Sequence, residues 1–403
     1  MLFYHGEGKM KNKSKNPKTQ KADYTTVLAA FALISYTLFC FGCAEALQTG
    51  RLRPIPVSVN TLLPQATQII REALIDADPL IRANAVEVVA NTKQVRLIPK
   101  VQRLLKDEYI PVRFAAVLAV GDLEYALAKR SATMLLQDEN ENIRIAALYA
   151  LSKLGSPESI EQIRKAIASN DQTVRANAAL LLGKSGDKNP LTRQVLWWTL
   201  RREDSGPKVR FQTVEAIAML GDERIYPKLL AILISGYADD RVMGIKAMGA
   251  LGTLEARDAL ITKLDDDVVE VRLAAAEQLG MLKNPAGEPV VLDVFTRNLA
   301  AGLDKQSRER LNVRTALAIG QIGSPSLTGF LPRFLRDESK FVRIAAAMAV
   351  FSMQYEKLIP EIRPFFHHQS SLSSYFAYLR VSTYHGSARI RAPYPATYTN
   401  FTY

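Results

Sequence analysis

Residues 76–91 read DADPLIRANAVEVVAN, and residues 138–155 read DENENIRIAALYALSKLG. The same phrase returns as DEYIPVRFAAVLAVGDL (107–123), NDQTVRANAALLLGKSG (170–186), DDDVVEVRLAAAEQLGML (265–282) and DESKFVRIAAAMAVFSM (337–353). Aligning the copies brings Arg82, Arg113, Arg144, Arg175, Arg210, Arg272, Arg314 and Arg343 into one column, the first four spaced by 31 residues. A degenerate copy fits at Met243, and the step of 42 from Arg272 to Arg314 implies an insertion around 284–310. A period of this length marks a chain built from one repeated supersecondary unit.

Each copy reads as a helix. Apolar residues follow the arginine at three, four and seven places, as at Ala147, Leu148 and Leu151, which is one stripe of an α-helix. Pro79 and Pro207 suit the first turn of this helix, behind Asp78 and Gly206 as N-caps. Between repeats, Gly155-Ser156-Pro157 and Gly323-Ser324-Pro325 predict a left-handed stop, a cap and a new first turn. No single helix pair hides its apolar stripe alone, so stacking has to supply the core.

The unit Asp-x5-Arg-x2-Ala-x3-Leu-Gly resembles the HEAT repeat family, in the short form met in phycobilin lyases, over about residues 61–364. The resemblance implies an all-α fold, a right-handed α-solenoid of about nine helix pairs with a concave inner wall that carries the arginine-bearing helices. It also raises a lyase-like handling of a bilin chromophore as an alternative activity.

Asp and Arg recur six residues apart, at Asp76/Arg82, Asp107/Arg113, Asp138/Arg144, Asp204/Arg210, Asp266/Arg272 and Asp337/Arg343. So regular a ladder predicts an architectural device tying each pair to its neighbour, with Asp near a helix N-terminus. The array has neither His nor Cys: the four histidines are His5, His367, His368 and His385, and the two cysteines are Cys40 and Cys43. That removes the commonest general base, metal ligand and thiol nucleophile together. His367 and His368 are adjacent, so on a helix they diverge and do not share one ion. The expectation is a protein that is not an enzyme, with no catalytic residue, cofactor, metal site or small-molecule substrate. The candidate partner surface is an apolar strip at Leu118, Tyr149 and Leu180, five places after three successive arginines, bounded by Glu87 and Glu215. The competing explanation for that strip is packing between repeats. Trp197 and Trp198 form a second candidate, because an exposed tryptophan often anchors a partner.

The N-terminus reads as an address. Residues 1–23 hold six Lys against Glu7 and Asp23, and residues 24–43, YTTVLAAFALISYTLFCFGC, hold no charge. A basic region before an apolar one predicts export, with the lysines on the cytoplasmic side. Three endings compete. Phe41-Gly42-Cys43-Ala44 resembles a bacterial lipoprotein signal with Cys43 lipidated, although Cys40 replaces its usual Leu. Ala44-Glu45-Ala46 is a cleavage site that would release a soluble periplasmic protein. The 20 uncharged residues also suffice as an uncleaved anchor. The domain reading is an export signal at 1–43, a linker at 44–60, the array at 61–366 and a tail at 367–403. The tail has no Asp or Glu and is rich in Tyr, Ser and Thr, which predicts low order; residues 358–366 read as the first helix of a truncated repeat. Of the net charge of +12, the chain beyond residue 23 keeps +8, too dispersed to predict nucleic-acid binding. The partners expected are envelope proteins and, through the anchor, a membrane. An exported scaffold is the leading reading; a subunit of an envelope assembly or secretion complex is a further alternative.

Overall fold

The computed structural model describes residues 54–362, with side chains to residue 354. The export signal, Cys43, the histidines and the tail lie outside the described residues. The described residues belong to one compact unit. Every regular element described is helical, and the fold is an α-solenoid.

Eighteen α-helices follow in chain order: α1 (Val59–Ala73), α2 (Pro79–Asn91), α3 (Ile98–Arg103), α4 (Ile110–Asp122), α5 (Lys129–Met134), α6 (Glu141–Lys153), α7 (Ser159–Ala166), α8 (Gln172–Ser185) and α9 (Pro190–Arg201). The second half holds α10 (Pro207–Met219), α11 (Tyr226–Leu233), α12 (Ala238–Leu251), α13 (Leu254–Thr262), α14 (Val269–Met281), α15 (Glu288–Thr296), α16 (Lys305–Ile322), α17 (Leu331–Phe334) and α18 (Lys340–Ile362). Even-numbered helices carry the repeated phrase and pack on one another in succession; odd-numbered ones after α1 are shorter than the inner helices that follow them, often extended by a 3₁₀ turn, and lie outside them.

Local signals behave as their chemistry dictates. Asp78 caps α2 by accepting from the Leu80 amide, and Pro79 opens the helix; Gly206 and Pro207 open α10. Gly155 and Gly323 take positive φ, but only Gly323 is followed by a helical turn at the expected place, a 3₁₀ turn from Pro325. After Gly155 the chain turns once more through Pro157 before α7 begins at Ser159. The insertion after α14 is a turn-rich segment and a lengthened α16. Residues 358–362 continue α18 rather than opening a new repeat, and α1 begins inside the stretch read as linker.

Helical glycines explain the closing Gly of the repeat phrase. Gly183 and Gly320 sit eight places after the ladder residue, in mid-helix. A Cβ on Gly320 would lie 2.4 Å from the Cα of Ala349, and one on Gly183 would lie 2.6 Å from the Cα of Ala216. With alanine at the third place, the inner helices cross almost backbone to backbone.

The ladder spans repeats. Arg82 donates through Nε and Nη2 to the Asp107 carboxylate of the next repeat, both at 2.9 Å, and through Nη1 to the carbonyls of Asp76 and Ala77 in its own turn. Arg113 does the same with Asp138, and Arg241 reaches Asp266 through Nη2 at 2.8 Å. Two alignments are corrected by this geometry. Arg241, not Met243, is the ladder residue of its repeat, and Asn312, not Arg314, bonds Asp337 from the equivalent place. At Asp107, Asp138 and Asp266 the aspartate offers its carbonyl to the arginine six residues on and its carboxylate to the preceding repeat.

The solenoid closes on itself. Helix α18 packs along α1 and also touches α2. The Val57 amide donates to Thr328 Oγ1 (2.9 Å), Gln65 Nε2 reaches the Leu335 carbonyl (3.4 Å), and Gly329 lies against the backbone of Ile55. Lys340 Nζ meets Asp76 Oδ2 at 2.7 Å, so the first repeat's aspartate receives its cation from the last repeat. The result is a ring of nine inner helices.

Candidate functional site: the inner wall of the ring

The fifth place after each ladder residue faces the ring axis. Counting from the corrected register, those places hold Glu87, Leu118, Tyr149, Leu180, Glu215, Lys246, Glu277, Leu317 and Met348. Leu118, Tyr149 and Leu180 retain 7%, 1% and 5% of their surface. The apolar strip is therefore covered, and the expectation of an open groove there is corrected: Tyr149 packs against Gly121 and Asp122 of the adjacent repeat, which is the packing explanation. Tyr149 Oη donates to Asp122 Oδ1 (2.5 Å), whose other oxygen pairs with Lys184 Nζ at 3.0 Å; burial pushes the phenol well above its ordinary value.

The rest of the axis is charged. Glu87 on α2 is pushed up to about 8 by burial, against the pull of Lys184 on α8 and Lys246 on α12, with Asp122 adding to the rise. Burial likewise raises Glu215 on α10 and Glu277 on α14, and lowers Lys246. Arg314 on α16 stands 3.9 Å from Glu277 Oε2, outside hydrogen-bond reach. Glu215 Oε1, Glu277 Oε2 and Gln212 Oε1 accept no hydrogen bond among the described residues. These groups come from opposite sides of the ring, since α2 faces α8 and α12 across the axis.

Raised carboxyls are also what acid–base sites display. Here the neighbours are other charged side chains packed around the axis; Glu215, Lys246 and Glu277 are more than nine-tenths buried, and Glu87 is partly buried. Among the described residues, no group of three or more His, Cys, Asp or Glu is placed to hold a metal ion.

The tryptophans divide. Trp197 Nε1 donates to Asp222 (2.9 Å) and lies between the guanidiniums of Arg201 and Arg224; Arg224 first, and Trp197 with it, hold Asp222 down to about 2. It thus joins two repeats. Trp198 is 48% exposed on the outer wall, with Arg202 4.7 Å over its ring. Of the axial charges, the sequence singled out only Glu87 and Glu215. Lys246 was hidden by the two-residue register shift at Met243, and correct alignment on Arg241 is the signal that finds it.

A family model for HEAT repeats matches residues 63–140 and 129–218. The chain carries HEAT repeats over residues 63–218. Among curated proteins it is similar to a HEAT repeat-containing taxis protein of Halobacterium salinarum, 26% identical over 170 residues, which is 42% of this chain and 36% of that protein. It is also similar to phycocyanobilin lyase subunit alpha of Nostoc sp., 28% identical over 120 residues, 29% of this chain and 44% of that one. The chain thus spans less than half the length of either relative. Among solved structures, the complex of CpcE and CpcF of phycocyanin lyase from Nostoc sp. aligns over 63% of this chain and 94% of its own, at 18% identity and a TM-score of 0.36.

Proposed function

We propose that this HEAT-repeat protein is an exported, lipid-anchored scaffold that binds envelope proteins through the outside of its ring, without catalysis. One observation carries the surface assignment: most inner-wall places are buried, while the outer helices expose Trp198 and Leu230. An aromatic anchor on a rigid helix loses little entropy when a partner covers it. Export and anchoring are supported by the lysine tract, the uncharged stretch 24–43 and Cys43. Among the described residues no helix is long and apolar enough to cross a membrane, so the N-terminal stretch is the segment to test for attachment.

The test is affinity capture from membranes with the full chain and with Cys43→Ala, alongside labelling with a radioactive fatty acid. Lipidation predicts label on the wild type, none on Cys43→Ala, and envelope proteins captured by both when cross-linked. Trp198→Ala should weaken capture while Tyr149→Phe leaves it intact. Recovery of unlabelled wild-type protein in the soluble periplasmic fraction would sink the anchor and point to cleavage after Ala46; unlabelled protein firmly in the membrane would point to the uncleaved form. A second reading is favoured by the similarity to the lyase subunit: a chromophore-handling role, which predicts bound pigment in the purified protein.

A further inference from the structure

The ring has two edges. Each outer helix runs from the edge that holds the turns between repeats to the edge that holds the turns within repeats, and each inner helix runs back. In the first four repeats the two edges differ in charge, one mixed and the other predominantly basic. The within-repeat edge carries Asp78, Glu108, Glu139, Glu141 and Asp171 interleaved with exposed Arg103, Lys106 and Lys165, while Asp76 is paired with Lys340 and the guanidiniums of Arg82, Arg113 and Arg175 are buried beneath it. The between-repeat edge over the same arc carries Arg96, Lys129, Arg130, Lys153 and Arg193 against Glu124 and Glu158. Its other acids are spent: Asp122 pairs with Lys184 and Asp187 with Arg164.

That basic arc also exposes large apolar side chains. Leu127 is 74% and Leu191 54% exposed, each in the first turn of an outer segment beside the cations. Ile55, 86% exposed, lies on the same edge at the ring seam, held there by the Val57–Thr328 hydrogen bond. The opposite edge exposes apolar residues too, Ile75 and Tyr237 among them, but in its first four repeats they stand among carboxylates. The described chain starts at Pro54 on the basic edge, and the ten residues between it and Cys43 reach about 35 Å at full stretch.

We propose that the between-repeat edge from the seam to α9 docks on an anionic lipid bilayer, its leucines entering the interface and its arginines and lysines meeting the headgroups. The orientation rests on the anchored reading above; the docking itself does not need the anchor. Cationic side chains beside apolar ones are what a peripheral surface uses, since each supplies attraction the other lacks. The opposite edge would bring carboxylates as well as cations against phosphates, without a net basic surface.

Residues 54–403, which contain the whole described unit, allow the test without the N-terminal apolar stretch or Cys43, so failure of docking and failure of lipidation are read separately. Sedimentation with vesicles of phosphatidylglycerol and phosphatidylethanolamine should show binding that zwitterionic phosphatidylcholine vesicles do not. Raising salt from about 50 to about 300 mM should weaken it roughly tenfold, because surface charge is screened within about 10 Å at 0.1 M. Arg96→Glu with Arg130→Glu should lower binding about tenfold, and Leu127→Ser with Leu191→Ser should lower it severalfold. Tyr237→Ser on the other edge should change nothing, and circular dichroism should show every variant folded. Equal binding to both vesicle types, or full binding by the folded Arg96/Arg130 variant, overturns the proposal. So does soluble polyphosphate capturing the protein while anionic vesicles do not.

Discussion

Glu87 illustrates what one residue costs at the ring axis. Its carboxyl is pushed from the ordinary 4.5 to about 8 by burial, so the folded ring holds a proton that the unfolded chain releases. Stability from this group is fully present below about pH 4.5 and is lost as pH rises towards about 8. Glu87→Gln keeps the shape and cannot ionise. It is expected to flatten the loss of stability between pH 5 and 8 and to gain about 2–4 kcal/mol at pH 8, read by urea denaturation across pH. A variant profile parallel to the wild type would show that Lys184 and Lys246 already compensate the charge. The sequence flagged Glu87 and Glu215 as the rim of an apolar strip, but nothing in it said that the strip and the charges meet across one axis.

At the scale of the helix, the close crossings decide stability. Gly320 in α16 has the backbone of Ala349 in α18 where its Cβ would stand, at 2.4 Å, and backbone cannot swing aside as a side-chain tip can. Gly320→Ala is expected to cost about 1–3 kcal/mol or more. Gly236, with no atom within 4 Å of its missing Cβ, is the control: Gly236→Ala should be close to neutral. Calorimetry of both variants checks this, and equal melting temperatures would refute the backbone-to-backbone packing. The repeat phrase made its terminal Gly visible without its reason, because a glycine in mid-helix and a glycine past a helix end look alike in one sequence. The ladder was legible as structure but not in its wiring: carboxylate and guanidinium six residues apart turn out to serve different repeats, 25 residues apart in the Arg82–Asp107 rung.

For the whole molecule, closure makes the first and last repeats neighbours, so neither needs a cap of its own. The Lys340–Asp76 pair completes the ladder around the seam, and α1 takes on α18 the place that an outer helix takes on the preceding inner helix elsewhere. A circular permutant opened at Gly155, with the end of α18 joined to Pro54 by a flexible linker, is therefore expected to fold as a monomer. Its single denaturation transition should come within a few degrees of the parent. An open solenoid would hold those ends a superhelical pitch apart, and the permutant would then unfold or assemble with other copies, as analytical ultracentrifugation would reveal.

By itself the sequence determined that this chain makes stacked helix pairs. The period of 31, the stripe at three, four and seven places, the caps and the ladder are all local, and local chemistry suffices for them. Only the tertiary structure decided that nine inner helices form a ring. Closure is the sum of many small rotations, each set by how nearly an alanine or glycine lets two backbones approach, and no single repeat contains that sum. Once closed, the ring turned an expected binding groove into a packed, charged core and left the outer wall and the two edges as the surfaces open to partners.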